Sequence, residues 1–411
     1  MFLGWRRCII CIDMNAFFAS IEQKMQPELR HQAVAITNGD KGSCIITCSY
    51  EARLFGVHTG MHVREALMRC PDLKLCASRP TLYASISSEI MRVLKDFTPD
   101  IEVFSVDEAF LDMTRVRNIP QTPEVLAQLV QQKIWKTVGL PLSVGISGDK
   151  TLAKYAAKSK KPMGVTVIEP NKARQILSTL PVHELCGIGH GIERFLAQYG
   201  AHSCGDVAKL PVSILANRFG YMGRRIWLMC QGRDPDPVKV YTQSPKSMGH
   251  GKVLPPGSRG KTMIMRYLHA MAFKLSVRMH QDNLWTSLLV ISVRYSYKGW
   301  YSIRYPLSEG VQDYDTFIEY IQFSMQGVLM NDPIRQVHVA ALKLQEHCQK
   351  DWLEVRKMQT PCNVSRVMQS INQRFGMGCI QPARLSFQRS PDVISPAWRP
   401  EKNMLFLDAK N

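Results

Sequence analysis

Three acidic side chains stand among apolar neighbours and are the first candidates for chemistry. Asp13 follows the apolar run 8–12, and Asp107-Glu108 separates two apolar segments, 101–106 and 109–113. Carboxylates bunched at strand ends are costly unless they are protonated, paired or bound to cations. Mg²⁺ suits such a set, because it takes hard oxygen ligands, keeps several waters and accepts one or two carboxylates beside substrate phosphates. Two such ions about 3.5–4 Å apart can hold the attacking and leaving oxygens of an in-line phosphoryl displacement. Taken alone, Asp107-Glu108 reads more readily as the polar turn of a hairpin over 101–113, and its pairing with Asp13 and with candidate phosphate-binding residues reverses that reading. Zinc is disfavoured at Cys8/Cys11 and Cys44/Cys48. Both pairs lie in strand-like surroundings, and a spacing of three puts Cys8 and Cys11 on opposite sheet faces.

The elements that must position these acids follow from the hydrophobic period. Residues 8–12 predict a buried strand that delivers Asp13, and 14–25 a helix with Phe17, Phe18 and Ile21 on one side. Strand-like runs at 33–36 and 44–48 precede helices at 64–69 and 79–97. A helix opened by Pro123 (123–138), a strand (142–146), a helix (150–159) and a strand (165–168) complete an α+β domain around one sheet. From 172 to 231 the pattern is wholly helical, broken at Gly187-Ile188-Gly189 and Gly220. Asp234-Pro235-Asp236-Pro237 closes that stretch, and the chain to Pro245 reads as a tether. The next module, with elements at 247–254, 259–281, 284–297, 300–307, 314–330 and 336–344, has the order βαββαβ. Of the last 65 residues only 364–375 predicts a clear helix. The expected divisions are 1–170, 171–236, a linker at 237–244, 245–346 and a tail at 347–411.

Composition narrows the function class. The 52 Lys and Arg exceed the 34 Asp and Glu by 18, an excess that calls for a polyanionic partner, nucleic acid ahead of a membrane surface. The charge is uneven: residues 1–170 carry 21 basic and 17 acidic side chains, so the remaining 241 residues hold +14. That segregation predicts chemistry in front and grip behind. No apolar stretch approaches the ~20 residues of a membrane span, and the five-residue run before Asp13 is too short for a secretory core. Twelve cysteines without an export signal predict reduced, buried thiols and so a cytoplasmic protein, nucleoid-associated if its polyanionic partner is DNA.

Four motifs now carry a resemblance. Ile12-Asp13-Met14-Asn15-Ala16-Phe17-Phe18-Ala19-Ser20 and Ser105-Val106-Asp107-Glu108-Ala109-Phe110-Leu111-Asp112 resemble the two metal-binding motifs of Y-family DNA polymerases. Ser49-Tyr50-Glu51-Ala52-Arg53-Leu54-Phe55-Gly56-Val57 and Val144-Gly145-Ile146-Ser147 with Lys161-Pro162-Met163-Gly164 match further signatures. The likeness covers about residues 1–346. It is nearest the DinB or DNA polymerase IV group, with the UmuC group second, since Ile371-Asn372-Gln373-Arg374-Phe375-Gly376 and the tail fit neither group decisively.

The resemblance implies a palm sheet with flanking helices, small fingers inserted at about 16–78, a helical thumb with a helix-hairpin-helix, and a βαββαβ little finger. It implies a translesion DNA polymerase without proofreading, using primer-template DNA, deoxynucleoside triphosphates and two Mg²⁺ ions, as a monomer. Asp13 and Asp107 would bridge both ions, Glu108 would hold the catalytic ion, and the Met14 carbonyl would complete the nucleotide-side site. Thr47, Tyr50, Arg53 and Lys161, with the backbone at Phe17 and Phe18, would bind the triphosphate; Lys160 is an alternative to Lys161. Phe18 corresponds to the residue that blocks a ribose 2′-hydroxyl, and small Ala16 and Ala52 would leave the site tolerant. Gly187 and Gly189 form the helix-hairpin-helix turn, with Gly220-Tyr221-Met222-Gly223 a degenerate second copy. Arg294, Lys298 and Arg304, interleaved with Tyr295, Tyr297, Trp300 and Tyr301, would hold DNA from paired strands. Asn403-Met404-Leu405-Phe406-Leu407 is a candidate sliding-clamp peptide. The alternative is a catalytically inactive Y-family scaffold, which the retained acids oppose. A nucleotide cyclase would have no use for the thumb or the basic module.

Overall fold

The computed structural model describes residues 5–38, 44–116, 122–241, 244–255, 257–329, 331–346, 364–375 and 379–385. Contacts divide the chain between residues 242 and 243 into two compact units.

The first unit opens with β1 (Ile9–Met14), in which all six residues are buried. Ala16, in the left-handed region at φ 45, turns the chain directly into α1 (Phe17–Met25). Met14, expected to begin that helix, is instead the last residue of the strand. A small subdomain follows: β2 (Val34–Thr37), β3 (Ile45–Cys48), α2 (Tyr50–Leu54), α3 (Val63–Arg69) and β4 (Lys74–Ala77). Its sheet has the order β3-β2-β4, with β2 antiparallel to β3 and parallel to β4. The chain then runs through α4 (Pro80–Leu94), β5 (Ile101–Val103), β6 (Glu108–Asp112), α5 (Pro123–Val138), β7 (Leu142–Ser147), α6 (Lys150–Ser159) and β8 (Val165–Val167).

The main sheet has the order β5-β6-β1-β7-β8, which puts β1 at its centre, antiparallel to both neighbours. Alternation along β1 divides two cores. Cys8, Ile10, Ile12 and Met14 face residues of α1, α4 and α5 such as Ile21, Leu94 and Ile134, while Ile9 and Cys11 face Ala153 and Ala157 of α6. Cys8 and Cys11 therefore lie on opposite faces, as their spacing predicts. Helix α5 starts on a Thr122 cap with Pro123 behind it and ends at Gly139 in the left-handed conformation. Gly145 lets α6 lie against β7, because a Cβ there would stand 2.1 Å from the Ala153 carbonyl oxygen and 2.2 Å from the Ala157 nitrogen.

Five helices complete the unit: α7 (Ala173–Ser178), α8 (His190–Ala197), α9 (Cys204–Lys209), α10 (Val212–Phe219) and α11 (Tyr221–Met229). They enclose a core of Leu177, Leu196, Val207, Leu215 and Ile226, continuous with Leu152 of α6.

The second unit runs β9 (Ser247–Val253), α12 (Lys261–Gln281), β10 (Trp285–Tyr295), β11 (Gly299–Val311), α13 (Tyr314–Ser324), β12 (Ile334–Gln345) and α14 (Val364–Phe375). Its antiparallel sheet, ordered β11-β10-β12-β9, packs one face on α12 and α13 through Leu289, Ile291, Val293, Leu275 and Phe317. Among the described residues no helix is long and apolar enough to cross a membrane.

Candidate active site

Asp13 and Glu108 face each other in register across β1 and β6, two pairs beyond Cys11 and Phe110 and so on the same sheet face. Directly opposed residues of an antiparallel pair have Cβ atoms about 4.5–5.5 Å apart, so two carboxylates are forced together. Asp107 lies just before β6, and its carbonyl accepts from the Met14 N–H at 2.9 Å, which closes the three acids onto one strand end. Glu108 is thus a strand residue; the reversal occupies 104–107, where the Phe104 and Ser105 N–H groups donate to the Glu108 carbonyl. This corrects the expectation that Asp107-Glu108 forms the hairpin turn. The Ser105 hydroxyl donates to Asp107 Oδ1 at 2.6 Å.

Burial pushes the Asp13 carboxyl up to about 7, against the pull of Lys161 and with added repulsion from Glu108. Burial raises Asp107 as well; Ser105 opposes the shift and Glu108 adds to it. Two lysines supply counter-charge. Lys161 Nζ lies 2.5 Å from Asp13 Oδ1, and Lys154 of α6 pairs with Glu108. Burial pulls the Lys154 ammonium down, but Glu108 outweighs it and leaves the group above its ordinary value. Lys160 is exposed and is not the partner of Asp13.

Buried Asn15 holds the segment that carries Lys161. Its Oδ1 accepts from the Met163 N–H at 2.7 Å, its amide donates to Ser143 Oγ at 3.0 Å, and Ser143 Oγ accepts from the Gly164 N–H at 3.3 Å. Tyr50 begins α2, with the exposed Arg53 guanidinium 4.6 Å from its ring centre. The Tyr50 hydroxyl is buried without a hydrogen-bond partner, and burial, offset by Arg53 and reinforced by Asp13, raises its pKa. Thr47 lies on β3, paired with Ile36. Phe17 is core, whereas Phe18 is half-buried with its ring stacked on Tyr83, centroids 4.3 Å apart and planes within 13°. No side chain caps α1, which leaves the backbone at Phe17 and Phe18 as its open N-terminus. Ala52, expected beside the nucleotide, is instead fully buried among Ala35, Cys48 and Ala66.

The donor set fits a hard divalent cation. It offers clustered carboxylate oxygens, one of them buried and held short of full ionisation, beside a stranded hydroxyl. As the side chains stand, with Lys161 and Lys154 against Asp13 and Glu108, no group of three His, Cys, Asp or Glu among the described residues encloses a metal.

Lys154, the partner of Glu108, also lines a cavity of about 230 Å³, together with Phe104, Phe110, Cys186, Gly187 and Met222 among others. It leads to the Gly187-Ile188-Gly189 turn. Gly187 has φ +96 and needs glycine on conformational grounds, while Gly189 precedes α8 as its N-cap. Neither would meet another atom within 4 Å if given a Cβ, so the turn is open to close approach by a backbone from outside. Gly220 likewise joins α10 to α11. Gly223 serves packing, since a Cβ would stand 2.0 Å from the Leu215 carbonyl.

In the second unit, strand alternation leaves Arg294, Trp300, Ser302 and Arg304 on the sheet face away from the helices. The guanidinium of Arg294 lies 5.8 Å from the Trp300 ring centre. Lys298, expected on the strands, sits in the turn between β10 and β11 and is tied to Asp332 at 2.6 Å. Tyr295 belongs to the core and Tyr301 packs against it, so Trp300 is the aromatic that shares the basic face. The candidate clamp peptide at 403–407 lies outside the described residues.

Sequence reasoning gave no role to Lys154, Asn15, Ser105 or Tyr83. Lys154 had a signal, because Lys150, Lys154 and Lys158 recur at helical spacing and so line one side of α6. Ser105 and Asn15 stood inside the quoted motifs without an assigned partner, and Tyr83 gave no local signal at all.

Comparison with known proteins identifies the family. Residues 12–158 match the impB/mucB/samB family, 245–351 its C-terminal domain, and 183–234 the DNA polymerase-iota thumb domain. A DNA polymerase IV of Moorella thermoacetica is 40% identical over 256 residues, 61% of this chain and 64% of that one, just under two thirds of its length. DNA polymerase IV 1 of Halalkalibacterium halodurans is 29% identical over 384 residues, 91% of this chain and 92% of that one. A DNA polymerase IV of Streptococcus pneumoniae serotype 2 is 33% identical over 312 residues, 75% and 88% of the two chains. With palm, thumb and C-terminal domains all matched in order, the chain belongs to the Y family of DNA-directed DNA polymerases, in the DNA polymerase IV group.

Proposed function

We propose that the chain is a translesion DNA polymerase that extends a primer 3′-hydroxyl on a template strand, with two divalent ions and no proofreading. The observation that carries this reading is the convergence of Asp13 and Glu108 in register, with Asp107 joined to Met14, while Lys154, the partner of Glu108, lines the cavity that reaches the Gly187 turn. Asp13, Asp107, Glu108 and the Met14 carbonyl would hold the ions. When bound, these supply Lewis-acid activation of the hydroxyl and charge stabilisation of departing pyrophosphate.

The chain's own groups bind and orient. Lys161, fixed through Met163 by Asn15, offers a point charge to the triphosphate, and Arg53 a forked contact. The stranded Tyr50 hydroxyl gains an acceptor, and Thr47 and the first-turn N–H groups at Phe17 and Phe18 face the same phosphates. Phe18 blocks a 2′-hydroxyl. Residues 1–170 act as palm and fingers, 171–236 as thumb, 237–244 as linker, and 245–346 as little finger. Gly187 and Gly189 with α8 grip the primer backbone, and Arg294 and Arg304 grip the duplex. The protein works as a cytoplasmic monomer.

Asp107→Ala tests the reading: primer extension should be abolished while primer-template binding stays within about threefold of the unchanged protein. Extension by the variant at a comparable rate rejects the metal-binding assignment.

A further inference from the structure

The buried carboxylate of Glu22 has no part in the mechanism above, although it is the most heavily hydrogen-bonded acid near Phe18. It lies on α1 one turn after Phe18, so the two share a side of the helix. Only 1% of its side chain is exposed. Oε1 accepts from the Tyr83 hydroxyl at 2.6 Å and from Arg79 Nε at 3.0 Å. Oε2 accepts from Gln26 at 3.0 Å and from Arg79 Nη2. Each oxygen thus has two donors, the full complement of a carboxylate.

Three of those four donors, supplied by two residues, come from the start of α4. Arg79 is the N-cap residue of α4, and Tyr83 lies one turn into it, 2% exposed. The Tyr83 ring is the plate against which Phe18 is stacked. A phenol held at its oxygen cannot slide or tilt without breaking a charge-assisted bond. The ring resting on it is then confined in turn.

The geometry points to Glu22 as a positioning residue for sugar discrimination: by fixing the Tyr83 hydroxyl it holds Phe18 where a ribose 2′-hydroxyl would clash. This rests on the reading of Phe18 as the sugar block. Arg79 makes the arrangement tenable, because an unpaired carboxylate at this depth would be strongly disfavoured. The design uses a polar bond to place an apolar wall, since apolar contacts alone leave a ring free to shift along its neighbour.

The test compares single-nucleotide incorporation of a ribonucleoside and a deoxyribonucleoside triphosphate by the unchanged protein, Tyr83→Phe, Glu22→Gln, their double variant and Phe18→Ala. Tyr83→Phe keeps the plate and removes the tie. The ratio of kcat/KM for ribonucleotide over deoxynucleotide should rise by at least about threefold in each single variant, the scale of one hydrogen bond. The rise should come chiefly from a lower ribonucleotide KM. The double variant should not exceed the larger single, because both act on one bond: Tyr83→Phe removes its donor, and Glu22→Gln replaces its charged acceptor with a neutral amide oxygen. If Glu22 merely bolts α1 to α4, both nucleotides lose efficiency alike and the ratio does not move, which overturns the proposal. Phe18→Ala separates the two levels of inference. A raised ratio there with unchanged ratios in Tyr83→Phe and Glu22→Gln removes the role of Glu22 and leaves the sugar block standing. An unchanged ratio in Phe18→Ala removes both. Should Glu22→Gln fail to fold, Tyr83→Phe alone decides.

Discussion

The outer sheet face of the second unit makes a prediction that separates its three candidate cations. Arg294 and Arg304 share that face, and neither is ion-paired to a carboxylate among the described residues, whereas Lys298 is already bound to Asp332 in the turn. Each cation that neutralises a duplex phosphate releases condensed counterions and adds about 0.9 to the slope of log K against log salt. Replacing Arg294 and Arg304 together by Ala should therefore flatten the slope by about 1.8. Between 50 and 200 mM salt, a fourfold change, the unchanged protein should lose about 12-fold more affinity than this double variant. Lys298→Ala should leave the slope nearly where it was, because its charge is committed to Asp332. Fluorescence anisotropy with a labelled primer-template across a salt series measures all three. An unchanged slope in the double arginine variant, or a loss in Lys298→Ala as large as for one arginine, would refute the assignment of the face.

Two further predictions concern stability. Burial, the Arg278 and Lys274 side chains of α12, and His338 on β12 hold His250 down to about 4. Its folded value lies below its unfolded one, so the unfolded chain binds the extra proton and stability falls as pH drops from 6.5 towards 4. At pH 5 the loss relative to neutral pH is about 2 kcal/mol, which His250→Gln should abolish. Urea melts of both proteins at pH 7 and pH 5 read the difference, and equal acid losses would count against it. Gly145→Ala drives a methyl into the backbone of α6 and should cost about 3 kcal/mol in the same melts. A cost below 1 kcal/mol would mean that α6 can retreat without penalty.

The pattern of apolar residues made much of the scaffold legible. The buried run at 8–12 is β1 extended to Met14, the α5 range 123–138 coincides with its capping signals, and the order strand-helix-strand-strand-helix-strand appears in the second unit. These elements are written locally, in caps, periods and turns. The site was legible as residue types but less so as geometry. Asp107-Glu108 looked like a turn because two charges between apolar runs fit one. Only the pairing of Glu108 with Asp13, a contact between residues far apart in the chain, moves it into a strand. Lys298 looked available because sequence does not show that Asp332, 34 positions on, lies 2.6 Å away. Tyr83 was invisible for the same reason: its partners Phe18 and Glu22 come from another helix.

Helix α6 joins the strand end that carries the acids to the helices around the Gly187 turn. Lys154 on it meets Glu108, and one turn earlier Lys150 Nζ lies 2.6 Å from Glu102 of β5 and 2.9 Å from Asp236. Thr151 donates to Asp234 at 2.7 Å, and Arg225 of α11 grips the same carboxylate with two bonds of 2.8 and 2.9 Å. Burial pushes Asp234 up, but Arg225 and Thr151 outweigh it and hold the carboxyl below its ordinary range. The Arg7 guanidinium adds bonds to the Asp234 and Asp236 carbonyls. Removing one partner from such a buried set strands the other charge and costs about 3–5 kcal/mol, so the set is not a place where the chain bends freely. The two prolines beside these aspartates stiffen the same segment. The helices around the Gly187 turn are thereby held to the strand pair that carries the acids through one helix and one buried cluster of charges. The distance between the Gly187 turn and the three acids is consequently a property of α6, and Gly145, by allowing that helix to lie flat on β7, fixes it.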